Sequence, residues 1–481
     1  MQFTSISYLF FLFVLLMAIA ATARYKNARW ILMLAGSYFF YLTWQPVYVL
    51  LLIFTTAVGY FSGIRIAAAT DMKTRRQRLR VGVLLILVVL FLFKYSEVIN
   101  GCVFRLLNVA GHPSQYNALD ILLPIGISFY TFQVLSYLFD VYYMLRKEER
   151  HFGYLATYVA SFPQLLSGPI ERSKAYIDQL SAAFVSDRQR TIIGLRRIAW
   201  GLFKKLVVAD RIGYFADHVF NMPSAFHSAP LIFATVIFAF QLYFDFSGYA
   251  DIAIGSARVL GIDISENFDR PFSSKSVTEF WRRWHITLGT WLRDYVYKPF
   301  LFGRKKWKDQ AVYAALFLTF FLCGLWHGPK WTYLIFGTMQ GVAMIMEMRF
   351  AAQRKKASHS NFRMLYFSLS WLATFLFILL SNIFFRANTT QDSFYIVREI
   401  FTGSFSITEI GAMFSGFRHT HVVFSMILLV SLIISDRFFS QLSRGERTFG
   451  SVTNTLVYAC MVVAILIWGD WGATKFLYLQ F

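Results

Sequence analysis

Long apolar runs, separated by short polar or basic segments, recur along the whole chain. Each run has about 17 to 25 mostly apolar residues, enough to cross a hydrocarbon core of about 30 Å as an α-helix. The pattern predicts an all-α polytopic membrane protein with spans near residues 7–22, 30–44, 47–66, 81–97, 120–145, 229–247, 310–327, 331–350, 364–385, 422–439 and 452–470.

Two further segments, near residues 152–168 and 191–212, are apolar enough to cross the membrane, dip into it or lie flat. The chain is therefore predicted to form one membrane domain over residues 1–481, with about 11 to 13 membrane helices. Residues 471–481 form its C-terminal tail.

Composition and charge placement agree with a membrane protein. Of the 481 residues, 57% are hydrophobic and 15% are charged, which excludes an ordinary soluble protein. The formal charge of +21 lies in short, alternating loops rather than on one polar surface. This arrangement indicates positive-inside topology rather than nucleic-acid binding, and it predicts that both the N-terminus and the C-terminal tail are extracytoplasmic.

Residues 160–300 depart from the pattern of apolar spans and polar loops. The segment 161–180 carries Pro163 and Pro169 within an apolar run, which predicts a broken or re-entrant segment shielded by protein.

Two aspartates lie in or next to the span that starts near residue 229. A carboxylate at membrane depth is unfavourable by about 2.5–3.5 kcal/mol on insertion scales, so Asp245 and Asp251 each require a donor. Arg258, two helical turns beyond Asp251, is one candidate donor. A structural ion pair and a catalytic role remain equally compatible with this pattern.

The stretch TEFWRRWHITLGTWLRDYVYKPF, residues 278–300, has the periodicity of one amphipathic helix. Its predicted aromatic face consists of Phe280, Trp284, Trp291 and Tyr295. An interfacial helix explains the tryptophans and arginines. It does not explain His285, which lies at the edge of the aromatic face.

His327 ends an apolar run in the sequence GLWHGP. Such a histidine can be a packing residue, a proton relay, a metal ligand or a general base. An ionisable residue at membrane depth is usually functional, which favours a role for His327 beyond packing. The adjacent Gly324 and Gly328 are expected to leave space for a substrate. Pro329 ends the helix next to the histidine. With a reference pKa of about 6.5, histidine can take a proton from a hydroxyl that attacks a carbonyl, which fits acyl transfer. A metal site would need more ligands than His285 supplies, so none is predicted.

The segments GLWHGP, FWRRWH, YFDFSGYADIAIG, ENFDRPF, SGPIER and FFRAN together resemble the membrane-bound O-acyltransferase (MBOAT) family, over nearly the whole chain. The similarity is greatest to the bacterial branch that acetylates alginate, peptidoglycan and cellulose. The resemblance implies a ring of tilted transmembrane helices, with re-entrant or interfacial helices, around a central funnel that reaches a key histidine from both sides. His327 matches that histidine and His285 matches the second histidine of the family. Substrate binding is then expected to involve Trp326, Asp245, Asp251, Trp281 and Arg282.

The resemblance also implies a function. The chain is expected to move acetyl from cytoplasmic acetyl-CoA, a substrate rather than a permanently bound cofactor, to an extracytoplasmic polysaccharide of alginate, cellulose or peptidoglycan type. Its expected location is the bacterial inner membrane, among lipids and with an extracytoplasmic serine-dependent O-acetyltransferase as partner. The ending FLYLQF resembles a terminal motif of related systems in which a tyrosine, here Tyr478, carries the acyl group.

The residues alone leave other readings open. His327, Asp245 and Asp251 would also suit a proton-coupled transporter or channel. The basic loops would suit a scaffold that binds partners, and the ending FLYLQF would suit a simple apolar anchor.

Overall fold

The computed structural model describes residues 1–25, 27–110, 123–447, 450–472 and 476–477. Within these ranges the chain is predominantly helical and contains no β-strand, so the predicted all-α class is confirmed. Contacts divide the chain into two compact units. The units are Met1–Gly194 with Ser256–Ser265, and Leu195–Gly255 with Glu266–Phe481. The single membrane domain over residues 1–481 stays a prediction.

The first unit begins with a group of packed helices. These are α1 (Ile6–Ala21), α2 (Ala28–Leu42), α3 (Val49–Ala67), α4 (Met72–Lys94), α5 (Ser96–Val109), α6 (Ile127–Tyr142), α7 (Phe152–Ala160), α8 (Phe162–Leu165) and α9 (Ser173–Ser181). Helix α3 packs against both α4 and α6, and α2 packs against α7.

The segment between α7 and α9 is broken, as its prolines predict. The helix stops at Ser161, a short turn follows at α8, and extended backbone leads to α9. Residues 161–171 are buried. Two tyrosines hold this segment: Tyr158 OH donates to Glu171 O at 2.7 Å, and Tyr176 OH donates to Ser161 Oγ at 2.6 Å. Irregular backbone is therefore shielded by protein, as apolar surroundings require.

Helix α10 (Arg188–Leu202) runs into a π-helical turn, Phe203–Ala209, and then into α11 (Asp210–Asn221). The long helix α12 (Ser228–Val259) follows. The remaining helices are α13 (Val277–Arg283), α14 (Ile286–Leu292), α15 (Lys298–Phe302), α16 (Asp309–His327), α17 (Trp331–Arg349), α18 (Ala351–Ser358), α19 (Arg363–Arg386), α20 (Thr390–Thr402), α21 (Ile410–Met413), α22 (His419–Arg444) and α23 (Ser451–Trp468).

Each predicted span overlaps at least one helix of the described residues, and the protein is a multi-pass membrane protein. Among the described residues, five helices are long and apolar enough to cross a bilayer: Pro46–Ala67, Ser228–Val259, Asp309–His327, Arg363–Arg386 and His419–Arg444. The pair α4 and α5, bent by 77°, qualifies as a sixth only if it counts as one span. Helices α1, α2 and α6 have 15 or 16 residues, shorter than a bilayer core of about 30 Å requires. The total of 11 to 13 crossings stays a prediction.

Candidate active site

His285 lies at a break in the predicted amphipathic helix. Helix α13 ends at Arg283 and α14 begins at Ile286, so the prediction of one continuous helix is wrong. The backbone of His285 is left-handed, with φ 43°, a conformation that persists in a non-glycine residue only where its surroundings enforce it. Backbone bonds do so here: Ile286 N–H donates to Asn267 O at 3.0 Å, and Asp269 N–H donates to Arg283 O at 2.9 Å. The predicted aromatic face is nevertheless buried, at Phe280, Trp284, Trp291 and Tyr295.

Asn267 determines which nitrogen of His285 carries the proton. Its Oδ1 accepts hydrogen bonds from Thr287 N–H at 3.2 Å, Thr287 Oγ1 at 2.9 Å and His285 Nδ1 at 3.1 Å. Because a backbone N–H only donates, the shared acceptor is the amide oxygen, and His285 Nδ1 must be protonated. The break at His285 lies outside the candidate membrane spans, and complete burial lowers the pKa of His285 to about 3. The ring is therefore neutral, with its lone pair on Nε2.

His327 is the last residue of α16 and lies among aromatic rings. Ring centroids of Phe385, Tyr333 and Phe336 lie 5.0, 6.1 and 6.2 Å from its own. Only 5% of the residue is exposed. The imidazole therefore occupies a tightly packed, largely aromatic environment at the end of its helix.

Helices α16 and α17 pack backbone to backbone one turn before His327. A Cβ on Gly324 would collide with Tyr333 O, and one on Gly337 would collide with Phe320 O. A Cβ on Gly328 would come within 3.1 Å of the Tyr333 ring. The expectation that these glycines leave space for a substrate is wrong, because α17 fills that space. Gly324 serves close helix packing instead.

His285 and His327 line the same small cavity, although they come from separate elements. The other polar side chains in its wall include Gln340 and Asn382, among aromatic and aliphatic neighbours. The cavity volume is about 20 Å³, room for about one water molecule. The central funnel that the resemblance implies stays a prediction.

Both predicted substrate-binding tryptophans contact this site. The Trp281 ring lines the cavity, and its Nε1–H donates to Gln340 Oε1 at 3.0 Å. The Trp326 ring centroid lies 4.8 Å from that of His327 and 6.5 Å from that of His285. A rotation of either indole would change the space around the histidines.

A larger cavity, of about 260 Å³, lies beside Asn267. The charged residues of its wall are Arg197, Lys204, Arg270, Arg437, Arg444, Asp251, Glu266, Asp269 and Glu446. Arg437 and Glu446 are exposed, so this cavity opens at the surface. Since Asn267 lines it and bonds to His285, one hydrogen bond joins the walls of the two cavities.

Asp251 belongs to a buried ion-pair network in the wall of the larger cavity. Its Oδ1 lies 2.8 Å from Arg197 Nη2, and its Oδ2 lies 2.5 Å from Lys204 Nζ. The donor predicted for Asp251 was Arg258, which instead pairs with Asp263 at 3.0 Å. That prediction is wrong because helix α10 and its π-helical extension supply the cations.

Two arginines hold the segment that carries Asn267. Arg197 bonds both carboxylate oxygens of Glu266 through Nη1 and Nη2. Arg444 Nη2 lies 3.3 Å from Glu266 Oε2 and donates to Phe268 O at 3.1 Å. The forked bond of Arg197 to Glu266 and the single bond of Arg444 to Phe268 O thus hold the residues on both sides of Asn267.

Asp245 bonds to a lysine and to the C-terminal segment, and it does not line the cavity of the two histidines. Lys205 Nζ lies 2.5 Å from Asp245 Oδ1 and 2.7 Å from Asp210 Oδ1. The N–H of Leu477 donates to Asp245 Oδ2 at 3.0 Å.

The catalytic and substrate-binding roles expected of all these residues stay predictions, including those of Arg282 and Tyr478. Arg282 is exposed and belongs to neither cavity wall. Tyr478 lies outside the described residues. Among the residues that the structure does describe, no three His, Cys, Asp or Glu side chains come together as a metal site would require.

The sequence reasoning missed Asn267 and three buried cations. Lys204 and Lys205 did carry a signal, since they interrupt the apolar run GLFKKLVV, where a charged residue needs a partner. Arg197 lies two turns before Lys204 on the same helix and could have been found with it. Asn267 had no such signal, because only long-range backbone pairing brings its polar loop to His285.

Comparisons with known proteins show the family of this chain. The model of the membrane-bound O-acyltransferase family matches residues 151–387, a range that contains Asn267 and both histidines. The probable alginate O-acetylase AlgI of Pseudomonas aeruginosa is 37% identical over 393 residues, 80% of this chain and 72% of that protein. The protein of that name in Pseudomonas putida is 32% identical over 479 residues, 95% of each chain. The peptidoglycan O-acetyltransferase of Helicobacter pylori is 32% identical over 395 residues, 76% of this chain and 72% of that one. The chain therefore belongs to the membrane-bound O-acyltransferase family and is an O-acyltransferase.

Proposed function

We propose that this protein moves acetyl groups from cytoplasmic acetyl-CoA for the O-acetylation of an extracytoplasmic polysaccharide. The names of its relatives, alginate O-acetylase and peptidoglycan O-acetyltransferase, support acetyl as the group and a polysaccharide as the acceptor. The observation that carries the chemistry is the placement of two buried histidines on the wall of one cavity.

His327 acts as the general base in this proposal. It takes the proton of an attacking hydroxyl while the hydroxyl oxygen bonds to the thioester carbonyl carbon. The carbon–sulfur bond then breaks, and the departing thiolate receives the proton. His285, neutral and protonated at Nδ1, presents Nε2 as an acceptor that orients the hydroxyl or assists the proton transfer. The low dielectric around both rings strengthens such contacts.

The larger cavity suits the donor. Acetyl-CoA carries several phosphate charges, and Arg270, Arg437 and Arg444 line a cavity that opens at the surface. Guanidinium groups bind phosphate with two parallel hydrogen bonds. Asn267 then lies between the proposed donor cavity and His285. The thioester leaves after each turnover, so it is a substrate and not a resident cofactor.

Tyr478 is proposed as the acyl carrier. Full proton transfer from tyrosine, with a pKa of about 10, to histidine, with a pKa of about 6.5, is uphill by about 5 kcal/mol. Deprotonation must therefore accompany attack. The resulting phenyl ester has a better leaving group than an alkyl ester and can pass its acetyl to a serine of an extracytoplasmic partner. This route fits an inner-membrane protein with both termini extracytoplasmic.

Labelled acetyl-CoA tests the proposal. Purified wild type is compared with His327→Ala, Tyr478→Phe and the exposed control His359→Ala, and the C-terminal peptide is analysed by mass spectrometry. We expect label on Tyr478 in the wild type and the control only. Thioester hydrolysis that needs His327 but labels no tyrosine would remove the carrier and retain acyl transfer. Unchanged turnover in His327→Ala would overturn the assignment of the base.

A further inference from the structure

The C-terminal segment is bonded along α11 after α23 ends. Trp468 O accepts hydrogen bonds from Arg211 Nε at 2.8 Å and Nη2 at 2.6 Å. Asp470 Oδ2 accepts from Tyr214 OH at 2.5 Å. Side chains on one helix therefore direct the chain as it leaves α23.

The π-helical turn Phe203–Ala209 provides a further anchor. In an α-helix the N–H of Asp210 would bond to Leu206 O, four residues earlier. Here it bonds to Lys205 O, five residues earlier. Leu206 O instead accepts the N–H of Asp470 at 3.0 Å. Such turns are rare and often mark functional positions, and this one redirects a backbone carbonyl to the C-terminal segment.

The last described residues contact a lysine, an aspartate and a tyrosine of the protein body. Phe476 is only 4% exposed. Its ring centroid lies 4.6 Å from Lys205 Nζ and 5.1 Å from the Tyr249 ring, edge to face. A cation over one aromatic ring and an edge contact with another are both orientation-dependent. They therefore favour one placement of this phenylalanine.

Asp245 divides its two oxygens between the protein body and the tail. Oδ1 pairs with Lys205 Nζ at 2.5 Å, and Oδ2 accepts the backbone N–H of Leu477 at 3.0 Å. A structural ion pair alone would explain the first bond. It would not explain the second, which is made to main chain beside a buried phenylalanine. The carboxylate thus holds the tail by its backbone.

We propose that Lys205, Asp245 and Tyr249, here called the tail dock, bind Phe476 and Leu477 and position Tyr478 for acylation. The three dock residues are positioning residues, because they contact the tail and not the donor. Binding of the tail by the dock stands on the contacts above. Only its consequence for Tyr478, the residue directly after Leu477, rests on the proposed function.

Trimming of the full-length protein by a broad-specificity carboxypeptidase, followed by intact mass, measures docking without any acyl transfer. In the wild type we expect trimming to pause at Leu477. In Asp245→Ala and Phe476→Ala we expect trimming past this residue to be about tenfold faster, since a charge-assisted hydrogen bond or a buried ring contact is lost. Phe476→Tyr, which keeps the aromatic face, should restore the pause. Equal trimming in all four proteins would overturn the dock.

Asp251→Asn is the matched control. Asp251 lies on the same helix as Asp245 and is also a buried carboxylate in an ion pair, but its partners are Arg197 and Lys204. Its tail should be trimmed like that of the wild type. If Asp251→Asn and Asp245→Ala speed trimming past Leu477 equally, the variants destabilise the protein as a whole, which would contradict a dedicated dock.

The rate of Tyr478 labelling by acetyl-CoA separates positioning from donor binding. Dock variants should lower the maximal rate about tenfold and leave the KM for acetyl-CoA unchanged, since the lost bond is to the tail. A raised KM with an unchanged maximal rate would place Asp245 in donor binding and overturn the proposal. If the wild type pauses at Leu477, the variants do not, and Tyr478 never carries label, then the dock stands and acyl carriage fails.

Discussion

Asn267 Oδ1 accepts a hydrogen bond from His285 Nδ1 at 3.1 Å, while Asn267 itself lines the larger cavity and His285 the smaller one. The same oxygen holds Thr287 through two further bonds. One amide therefore sets the tautomer of the imidazole and holds the first turn of α14 beside it.

Replacing Asn267 by alanine should lower acetyl transfer by about 10- to 100-fold, by analogy with the partners that orient metal-binding histidines. The loss should appear in the maximal rate, because the ring remains but is no longer fixed as the Nδ1–H tautomer. Steady-state kinetics with acetyl-CoA, alongside Asn361→Ala on an exposed turn, provides the check. A wild-type rate in Asn267→Ala would show that the tautomer of His285 is irrelevant.

Replacing Asn267 by aspartate should make the reaction sensitive to acid. Burial lowers the pKa of His285 to about 3 in the wild type, so this ring stays neutral from pH 5 to 9. A carboxylate beside Nδ1–H favours the charged ring and should raise that pKa by about 1–3 units. As pH falls, His285 would then take up a proton on Nε2 and cease to accept one.

The ratio of kcat/KM at pH 5 to that at pH 8 should therefore fall in Asn267→Asp relative to the wild type. Asn361→Asp adds the same charge on the surface and should leave the ratio unchanged. Equal ratios in all three proteins would mean that the protonation state of His285 does not affect the reaction.

The helices were predictable because a helix in a membrane needs a long run of apolar residues, and such runs are visible in the sequence. The sequence spacing did not predict that His285 and His327 would line the same cavity. Only the family resemblance indicated that both belong to one site. The break at His285 was missed because residues 278–300 satisfy the helical period on their own. Backbone bonds from Asn267 and Asp269 override that local preference, and a single sequence does not display them.

The partners of the buried aspartates show the same limit. Sequence spacing suggested Arg258, on the same helix, as the ion-pair partner of Asp251. The structure instead pairs Asp251 with Arg197 and Lys204, 54 and 47 positions earlier in the chain. Nothing in the sequence around Asp245 indicated that its side chain would bond to the backbone of Leu477. Local periodicity identifies which residues need a partner, but the partner itself is set by the tertiary fold.

Replacing Gly324 by alanine should destabilise the protein by about 1–3 kcal/mol, as overpacking of a tight interface does. The added methyl would collide with Tyr333 O and force α16 and α17 apart. Gly411→Ala is the matched control, because a Cβ there meets nothing within 4 Å. Thermal unfolding in detergent should show a lower midpoint for Gly324→Ala only. Equal midpoints would mean that the backbone contact between these helices is not tight.

Replacing Arg197 by methionine should destabilise the protein by about 3–5 kcal/mol, the effect of removing one partner from a buried ion pair. Arg197 is 1% exposed and binds Asp251 and Glu266, so its loss leaves two carboxylates with less compensation. Arg293→Met breaks a pair with Asp294 whose arginine side chain is 55% exposed, and such surface pairs contribute about 0–1 kcal/mol.

Denaturant or thermal unfolding in the same detergent compares the two variants directly. Because Glu266 precedes Asn267, Arg197→Met should also slow acetyl transfer under conditions where the protein is still folded, whereas Arg293→Met should not. Rescue of both stability and rate by Arg197→Lys would show that charge alone suffices. We expect Arg197→Lys to recover part of the stability only, because an ammonium cannot bond both oxygens of Glu266 in the forked geometry of a guanidinium.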